Sequence, residues 1–163
     1  MSVQLLLIAI LLAPPAIPQH VHPQSPAADA TATSTLSAEA VAQLLNGDGM
    51  GLARPAELNG YPGPKHLLER ATELGLTTEQ QKELAAVRQQ VLERARVLGK
   101  SIVNAERALD TAFKAGALTD AELEKQVRAI SVLQAELRLV HLEAHLTAKP
   151  ILMPEQLRKY YAR

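Results

Sequence analysis

The sequence predicts an all-α protein built on a hairpin of two long helices, with short helices flanking the hairpin. Aromatic residues make up only 2% of the 163 residues, so the core must consist mainly of Leu, Val, Ile and Ala, which suits close-packed helices. Two long stretches repeat apolar residues at steps of three and four, and a helix-capping pattern precedes each stretch. Because a two-helix hairpin has little interior, we expect an intertwined or curved dimer to complete the burial.

Composition narrows the possible functions. Seventeen basic and seventeen acidic residues balance to a net charge of zero. A nucleic-acid-binding surface normally shows a basic excess, so no nucleic-acid partner is expected. The chain has no Cys, which excludes disulfides, thiolate metal sites and cysteine nucleophiles.

The N-terminal segment indicates export. Leu5–Ala13 is an apolar run, too short for the roughly 20 residues that span a bilayer but typical of a signal-peptide core. Ala28-Asp29-Ala30 is a possible cleavage site, and Ala16 marks a weaker one. No basic residue precedes the run, which leaves open an upstream start or a retained membrane anchor. We therefore interpret residues 1–30 as a signal peptide or export segment, followed by a disordered tether to about residue 35.

Residues 36–64 are predicted to form a short helix and a long loop. Ser37 can cap a helix that ends near Asn46. The segment Asn46–Pro64 holds five of the eight glycines and three prolines, so it is predicted to be a loop. Such a long loop is often functional or ordered by packing. Pro64–Leu74 then reads as one helix, with Gly75 as its terminator.

The first long helix opens at Leu76-Thr77-Thr78-Glu79-Gln80. Thr77 can cap the helix, and the Gln80 side chain can reach back to the Thr77 amide, which makes a capping box. Gly99 should weaken this helix slightly and Gly116 should end it. The apolar positions follow a coiled-coil pattern: Leu84, Val87, Val91, Ala95, Leu98, Ile102, Ala105, Leu109 and Ala112.

The second long helix repeats the start signal, with Thr119 as cap and Glu122 completing the box. One apolar stripe should pack on the first long helix: Leu123, Val127, Ile130, Leu133, Leu137, Val140 and Ala144. A second stripe falls on nearly the opposite side, at about 100° per residue: Val132, Leu139, Leu142 and Leu146. This second stripe is either a dimer seam or a surface for unfolded clients. Lys149-Pro150 ends the helix, and Met153–Tyr161 forms a last short one.

Two short motifs carry a family resemblance. Leu76, Thr77 and Gln80 match the LTxxQ motif of the Spy/CpxP group of periplasmic proteins. A degenerate second copy contains Leu152 and Gln156. Met153 replaces the threonine there, so no hydroxyl is available to cap that helix. The chain resembles the group from roughly Pro64 to Tyr161, so we expect residues 65–163 to form a Spy/CpxP-like helical domain.

The resemblance implies a curved helical dimer in the periplasm that holds unfolded clients or senses metals. The segment Glu57–Pro64 looks like the heavy-metal-sensor branch of the group. The leading expectation is a periplasmic stress-response protein that binds metal ions, unfolded proteins or both. One alternative is a metal-sensing regulator that signals to a membrane partner, and another is a structural coiled-coil module.

A histidine pair is the candidate metal site. His141 and His145 lie four residues apart, so their side chains share one helix face about 5–6 Å apart at Cβ. Imidazole suits Zn, Ni, Co or Cu. His66 is the best third ligand, with Glu69 and Glu73 one and two turns further on. The alternative is a structural pair that flanks the core and meets water or a carboxylate.

The same segment does not match a protease. Metalloproteases use HExxH, with Glu directly after the first His. In His141-Leu142-Glu143-Ala144-His145, the Glu lies about 160–200° around the helix from the two histidines and cannot activate a metal-bound water. The glycine cluster Gly47–Gly51 has no preceding strand to form a phosphate loop. The chain is therefore not expected to be an enzyme.

Overall fold

The computed structural model describes residues 33–116 and 118–162, and these residues form helices and turns without any strand. The predicted signal segment lies outside the described residues. The prediction of an all-α fold with two long helices is confirmed. The helices are α1 (Ala38–Asn46), α2 (Arg54–Leu58), α3 (Pro64–Glu69), α4 (Ala71–Leu74), α5 (Thr78–Ala115), α6 (Asp120–Ala148) and α7 (Pro154–Tyr161), with a 3₁₀ turn at Lys149–Ile151 before α7.

Helices α5 and α6 form the hairpin, and both start at the predicted capping boxes. The Thr77 hydroxyl accepts from the Gln80 amide at 3.2 Å, while the Gln80 side chain accepts from the Thr77 amide at 3.0 Å. Thr119 and Glu122 repeat this arrangement at α6. Gly116 ends α5 with φ at +66°, a left-handed conformation that glycine adopts without strain. Helix α6 ends at Ala148, directly before the predicted stop at Lys149-Pro150. Local sequence signals therefore account for all four ends of the two long helices.

The position of α1 depends on packing. Helix α1 lies against the middle of α5, and Gly99 permits that approach because a Cβ there would collide with the Leu44 carbonyl of α1. Gly99 was expected only to weaken α5, but it is the contact point between two helices. Helix α1 is thus part of the packed core.

The described residues hold two clusters of buried apolar side chains. One cluster joins α1 to the hairpin: Val41, Leu44, Ala95, Ile102, Val103 and Leu137. The other lies at the open end of the hairpin, where the short helices cover it: Leu67, Leu74, Leu76, Leu84, Ala148 and Leu152. At roughly 1.5–3 kcal/mol for each fully buried large apolar side chain, these clusters supply the main force that holds the short helices to the hairpin.

Three predicted features differ from the structure. The segment Asn46–Pro64 is not all loop, because α2 forms within it with Pro55 in its first turn, where the missing amide proton has no partner to lose. The predicted helix Pro64–Leu74 is broken at Arg70, whose backbone leaves the helical region at φ −107° and ψ 17°. Val127, expected to pack on α5, is 45% exposed because the α-helical repeat drifts from the 3.5-residue repeat toward the hairpin tip.

Within residues 33–116 and 118–162, none of the helices combines the length and apolar character needed to cross a bilayer. The export segment expected at residues 1–30 lies outside these helices and stays a prediction.

Candidate functional site

The two LTxxQ-like motifs meet in space. The side-chain amides of Gln80 and Gln156 face each other, and each nitrogen donates to the other's oxygen at 2.8 and 2.9 Å. Each oxygen also accepts from the backbone amide that starts its own helix, from Thr77 at 3.0 Å and from Met153 at 2.9 Å. We call Gln80 and Gln156 the glutamine pair.

The remaining donors of the glutamine pair tie the motifs together crosswise. Gln80 donates to the Ile151 carbonyl at 2.8 Å, and Gln156 donates to the Gly75 carbonyl at 3.1 Å. Each glutamine therefore holds the backbone two residues before the other motif's helix-capping residue. Met153 makes no side-chain cap bond, as expected from its lack of a hydroxyl. The second motif thus depends on Gln156 rather than on a capping hydroxyl.

A cleft of about 400 Å³ opens between α6 and the Gly-rich segment. We call it the histidine cleft, because all three histidines predicted as metal ligands line it. Its polar lining combines basic and acidic groups from four parts of the chain: Asp48, Glu57, Lys65, His66, Arg88, His141 and His145. The sequence-predicted ligands are therefore brought to one concave site, which is the usual form of a small-ligand site.

His145 is held in a defined orientation. Its relative exposure is 7%, and its Nδ1 lies 2.8 Å from the Tyr61 carbonyl, which can only accept. That bond places the ring proton on Nδ1 and leaves the Nε2 lone pair for another partner. A Cβ on Gly63 would come within 2.8 Å of the His145 ring, so residue 63 must be glycine for the ring to fit.

His141 is the unsatisfied member of the pair. It is also 7% exposed, and its Nε2 atom is buried without a hydrogen-bond partner in the described residues. Burial, assisted by the neighbouring His145, lowers the pKa of His141, with Asp48 acting weakly in the opposite direction. The folded protein therefore keeps this imidazole neutral at pH values where an exposed histidine is partly charged.

His66 lies apart from the other two histidines in its interactions. Its side chain is 50% exposed, and its Nδ1 lies 3.1 Å from a Glu69 carboxylate oxygen. Glu73, the other carboxylate suggested by sequence, pairs with Arg70. Across the described part of the chain, no three His, Asp or Glu side chains are arranged to hold one metal ion. The cleft thus contains a histidine pair and not a ready three-ligand set.

The sequence did not predict that Glu57 lines the histidine cleft. Its Oε1 lies 4.0 Å from His145 Nε2, and its carboxylate is 44% exposed. Helix α2 presents Glu57, and the Tyr161 hydroxyl of α7 donates to the Glu57 carbonyl at 3.3 Å. No local pattern links residues 57, 145 and 161, so only their packing reveals the association.

The second stripe of α6 faces away from the core. Val132, Leu139 and Leu146 are 56%, 52% and 59% exposed, whereas Leu142 is half-buried. Within the described chain nothing covers these three side chains. The second apolar stripe predicted from the sequence is therefore exposed at three of its four positions.

No family model, curated protein or solved structure matches this chain. The likeness to the Spy/CpxP group therefore rests on the residues of the two motifs.

Proposed function

We propose that this chain is an exported, Spy/CpxP-like stress protein that works in the periplasm by binding, and that His141 and His145 bind a transition-metal ion in the histidine cleft. The observation that carries the metal proposal is the buried, unpartnered Nε2 of His141 beside a second buried histidine. The pairing of the two LTxxQ-like motifs supports the resemblance on which the periplasmic stress role rests.

The unpartnered atom argues against a purely structural histidine pair. Leaving a buried polar group unsatisfied costs about 1–3 kcal/mol, and structural histidines normally have partners. A metal ion accepts the lone pair that the fold leaves unused. The lowered pKa of His141 favours the neutral imidazole that metal binding requires.

His145 is also suited to metal binding, because a hydrogen bond fixes the orientation of its ring. Metal-binding histidines commonly donate their second ring N–H to a carbonyl or carboxylate, which fixes the ring and its tautomer. The bond from His145 Nδ1 to the Tyr61 carbonyl has this form. The Glu57 carboxylate lies 4.0 Å from His145 Nε2, so a small movement of α2 would bring it to an ion held by His145. Water would fill the remaining positions of a site for Zn, Ni, Co or Cu.

Isothermal titration of the full chain with each metal tests the proposal. His20 and His22 are first replaced by Ala so that only folded-region ligands contribute. We expect micromolar or tighter binding of at least one metal, and loss of most of the affinity in His141→Ala and in His145→Ala. Glu57→Gln and His66→Ala then identify the third ligand. Binding that survives the double replacement of His141 and His145 would contradict the site.

Client holding is the second candidate, and the exposed stripe on α6 favours it. Suppression of aggregation of a denatured model protein, lost in Leu139→Asp, would support this role. A retained N-terminal anchor together with metal binding would instead support a regulator that signals to a membrane partner. If neither metal nor client binds, the structural coiled-coil module remains.

A further inference from the structure

The histidine cleft is larger than a metal ion needs. Its volume of about 400 Å³ lies within the range of sites for small organic molecules, about 300–1,000 Å³. An ion held by His141 and His145 would have about two open positions in a tetrahedral site. Two waters at those positions would fill only roughly 60 Å³, at about 30 Å³ each. The cleft therefore has room for a small molecule beside the ion.

The charged side chains that line the histidine cleft balance one another before any ion enters. Asp48 and Glu57 are the acidic side chains of the lining. Lys65 and Arg88 are the basic ones. A divalent ion bound to neutral imidazoles would add two positive charges that this balanced lining does not offset. Because a bound ion is often the largest local charge in a site, an anion beside it would restore the balance.

Arg88 is the group best placed to bind such an anion. It lines the histidine cleft from α5, whereas both buried histidines belong to α6. Its side chain is exposed, and within residues 33–116 and 118–162 it forms neither a hydrogen bond nor an ion pair. A guanidinium presents a planar fork of donors that pairs with both oxygens of one carboxylate. Arg88 thus offers a free carboxylate-binding group at the edge of the cleft.

Two other arginines on the same stretch of α5 already have partners. Arg94 pairs with Glu143 at 2.9 Å, and Arg96 donates to the Asn46 carbonyl at 3.2 Å. Neither of them lines the histidine cleft. Among these three arginines, only Arg88 combines a position in the cleft with unused donors.

Lys65 is the second cation of the lining. It lies in the first turn of α3, and its side chain is 63% exposed. Its Nζ is 4.0 Å from a Glu69 carboxylate oxygen, a contact that is worth little at such an exposed position. Lys65 can therefore turn to an anion in the cleft at little cost.

We propose that the histidine cleft binds a small carboxylate together with the metal ion, and that Arg88 and Lys65 hold the carboxylate. This inference rests on the proposed metal binding and names the second ligand of the same site. Carboxylate oxygens are suitable ligands in place of water, and the guanidinium of Arg88 pairs with the same group. Since the anion offsets the charge of the ion, each favours the binding of the other.

Titration of the metal-loaded full chain with succinate tests the inference. His20 and His22 are first replaced by Ala, and the chain is loaded with whichever of Zn, Ni, Co or Cu it binds. Native mass spectrometry should then show one chain, one ion and one succinate in a single complex. Calorimetry should give saturable succinate binding that is much weaker when the ion is left out.

Arg88→Gln is the diagnostic variant and Arg94→Gln is its matched control. Both replace an exposed arginine of α5 by the same residue, but only Arg88 lines the histidine cleft. We expect Arg88→Gln to raise the dissociation constant of succinate at least about tenfold, because a charge-assisted pair is lost. The variant should still bind the ion alone, and Arg94→Gln should bind succinate as the parent chain does.

The outcomes separate this inference from the metal proposal. If the ion binds but succinate does not, or if both variants weaken succinate equally, the carboxylate site is overturned and metal binding stands. Equal succinate affinity with and without the ion would overturn joint binding. Sulfate that binds as tightly as succinate, with the same loss in Arg88→Gln, would show recognition of charge alone and overturn the carboxylate assignment. If none of the four metals binds, the proposed metal site fails and this inference fails with it.

Discussion

The glutamine pair, in which Gln156 is buried and Gln80 is partly buried, and the buried histidine pair differ in how completely their hydrogen bonds are satisfied. In the glutamine pair, six hydrogen bonds satisfy the side-chain oxygen and nitrogen of both Gln80 and Gln156. In the histidine pair, His145 has one short contact to a carbonyl, while Nε2 of His141 has no partner in the described chain. The glutamine pair joins two distant parts of the sequence, whereas the two histidines lie on one helix, and only the glutamine pair completes its hydrogen bonding.

The difference distinguishes a structural polar pair from a candidate binding site. A fully satisfied buried network favours a single packing arrangement, because any slippage leaves several groups unpaired at once. A partly satisfied pair beside a cleft retains an unused lone pair for a ligand. Two short motifs that look equally polar in the sequence therefore have opposite expected effects on stability when they are replaced by apolar residues.

The largest expected effect comes from removing one glutamine. Gln156→Leu strands the Gln80 amide and the Met153 and Gly75 backbone groups, so we expect a loss of about 2–4 kcal/mol in the free energy of unfolding. Urea denaturation followed by circular dichroism measures it. Gln89→Leu is the matched control, because Gln89 is an exposed α5 residue and should change stability by less than about 0.5 kcal/mol. Equal small losses in both variants would show that the glutamine pair is not structural.

A smaller effect separates helix capping from the glutamine pairing. Thr77→Ala removes the hydroxyl that caps α5 but keeps the backbone amide that Gln80 binds, so we expect a loss of about 0.5–2 kcal/mol. Thr119→Ala removes the equivalent cap of α6 far from the glutamine pair and is the matched control. Similar losses in thermal or urea denaturation would mean that each hydroxyl acts only as a cap. A much larger loss at Thr77 would show that its hydroxyl also supports the glutamine pair.

The smallest expected effect comes from the histidine pair. His141→Leu at neutral pH should leave the free energy of unfolding unchanged or slightly raised, because no hydrogen bond of the Nε2 atom is lost. A loss of several kcal/mol would instead show that the imidazole is a satisfied structural group.

The same variant also tests the pH dependence of stability. Because the fold lowers the pKa of His141, the unfolded chain takes up a proton more readily, and stability should fall as the pH drops below about 6.5. The contribution is complete above that pH and is lost as the pH falls through the folded-state pKa. Urea denaturation between pH 5 and 8 should show this decline in the wild type and a smaller decline in His141→Leu. An equal decline in both proteins would contradict the assignment to His141.

Local patterns accounted for the helical framework. Thr77 with Gln80, and Thr119 with Glu122, marked the starts of the long helices because capping acts over only three residues. The spacing of Leu84, Ala95 and Ile102 predicted the buried face of α5, since helical periodicity is also local. The i, i+4 spacing of His141 and His145 placed both rings on one side of α6. The break at Arg70 and the helix α2 were missed because both follow from packing of the short segments against the hairpin.

By itself, the sequence determined where the long helices begin, which faces are apolar and which polar residues share a face. Only the tertiary structure decided that Gln80 would meet Gln156, that Gly99 would admit α1, and that Glu57 would lie beside His145. Hydrogen bonds and repeating apolar positions within a helix depend on neighbours three or four residues away, so they can be read along the chain. Contacts between residues 57 and 145, or 80 and 156, exist only after apolar burial has brought the helices together, because no local interaction specifies them.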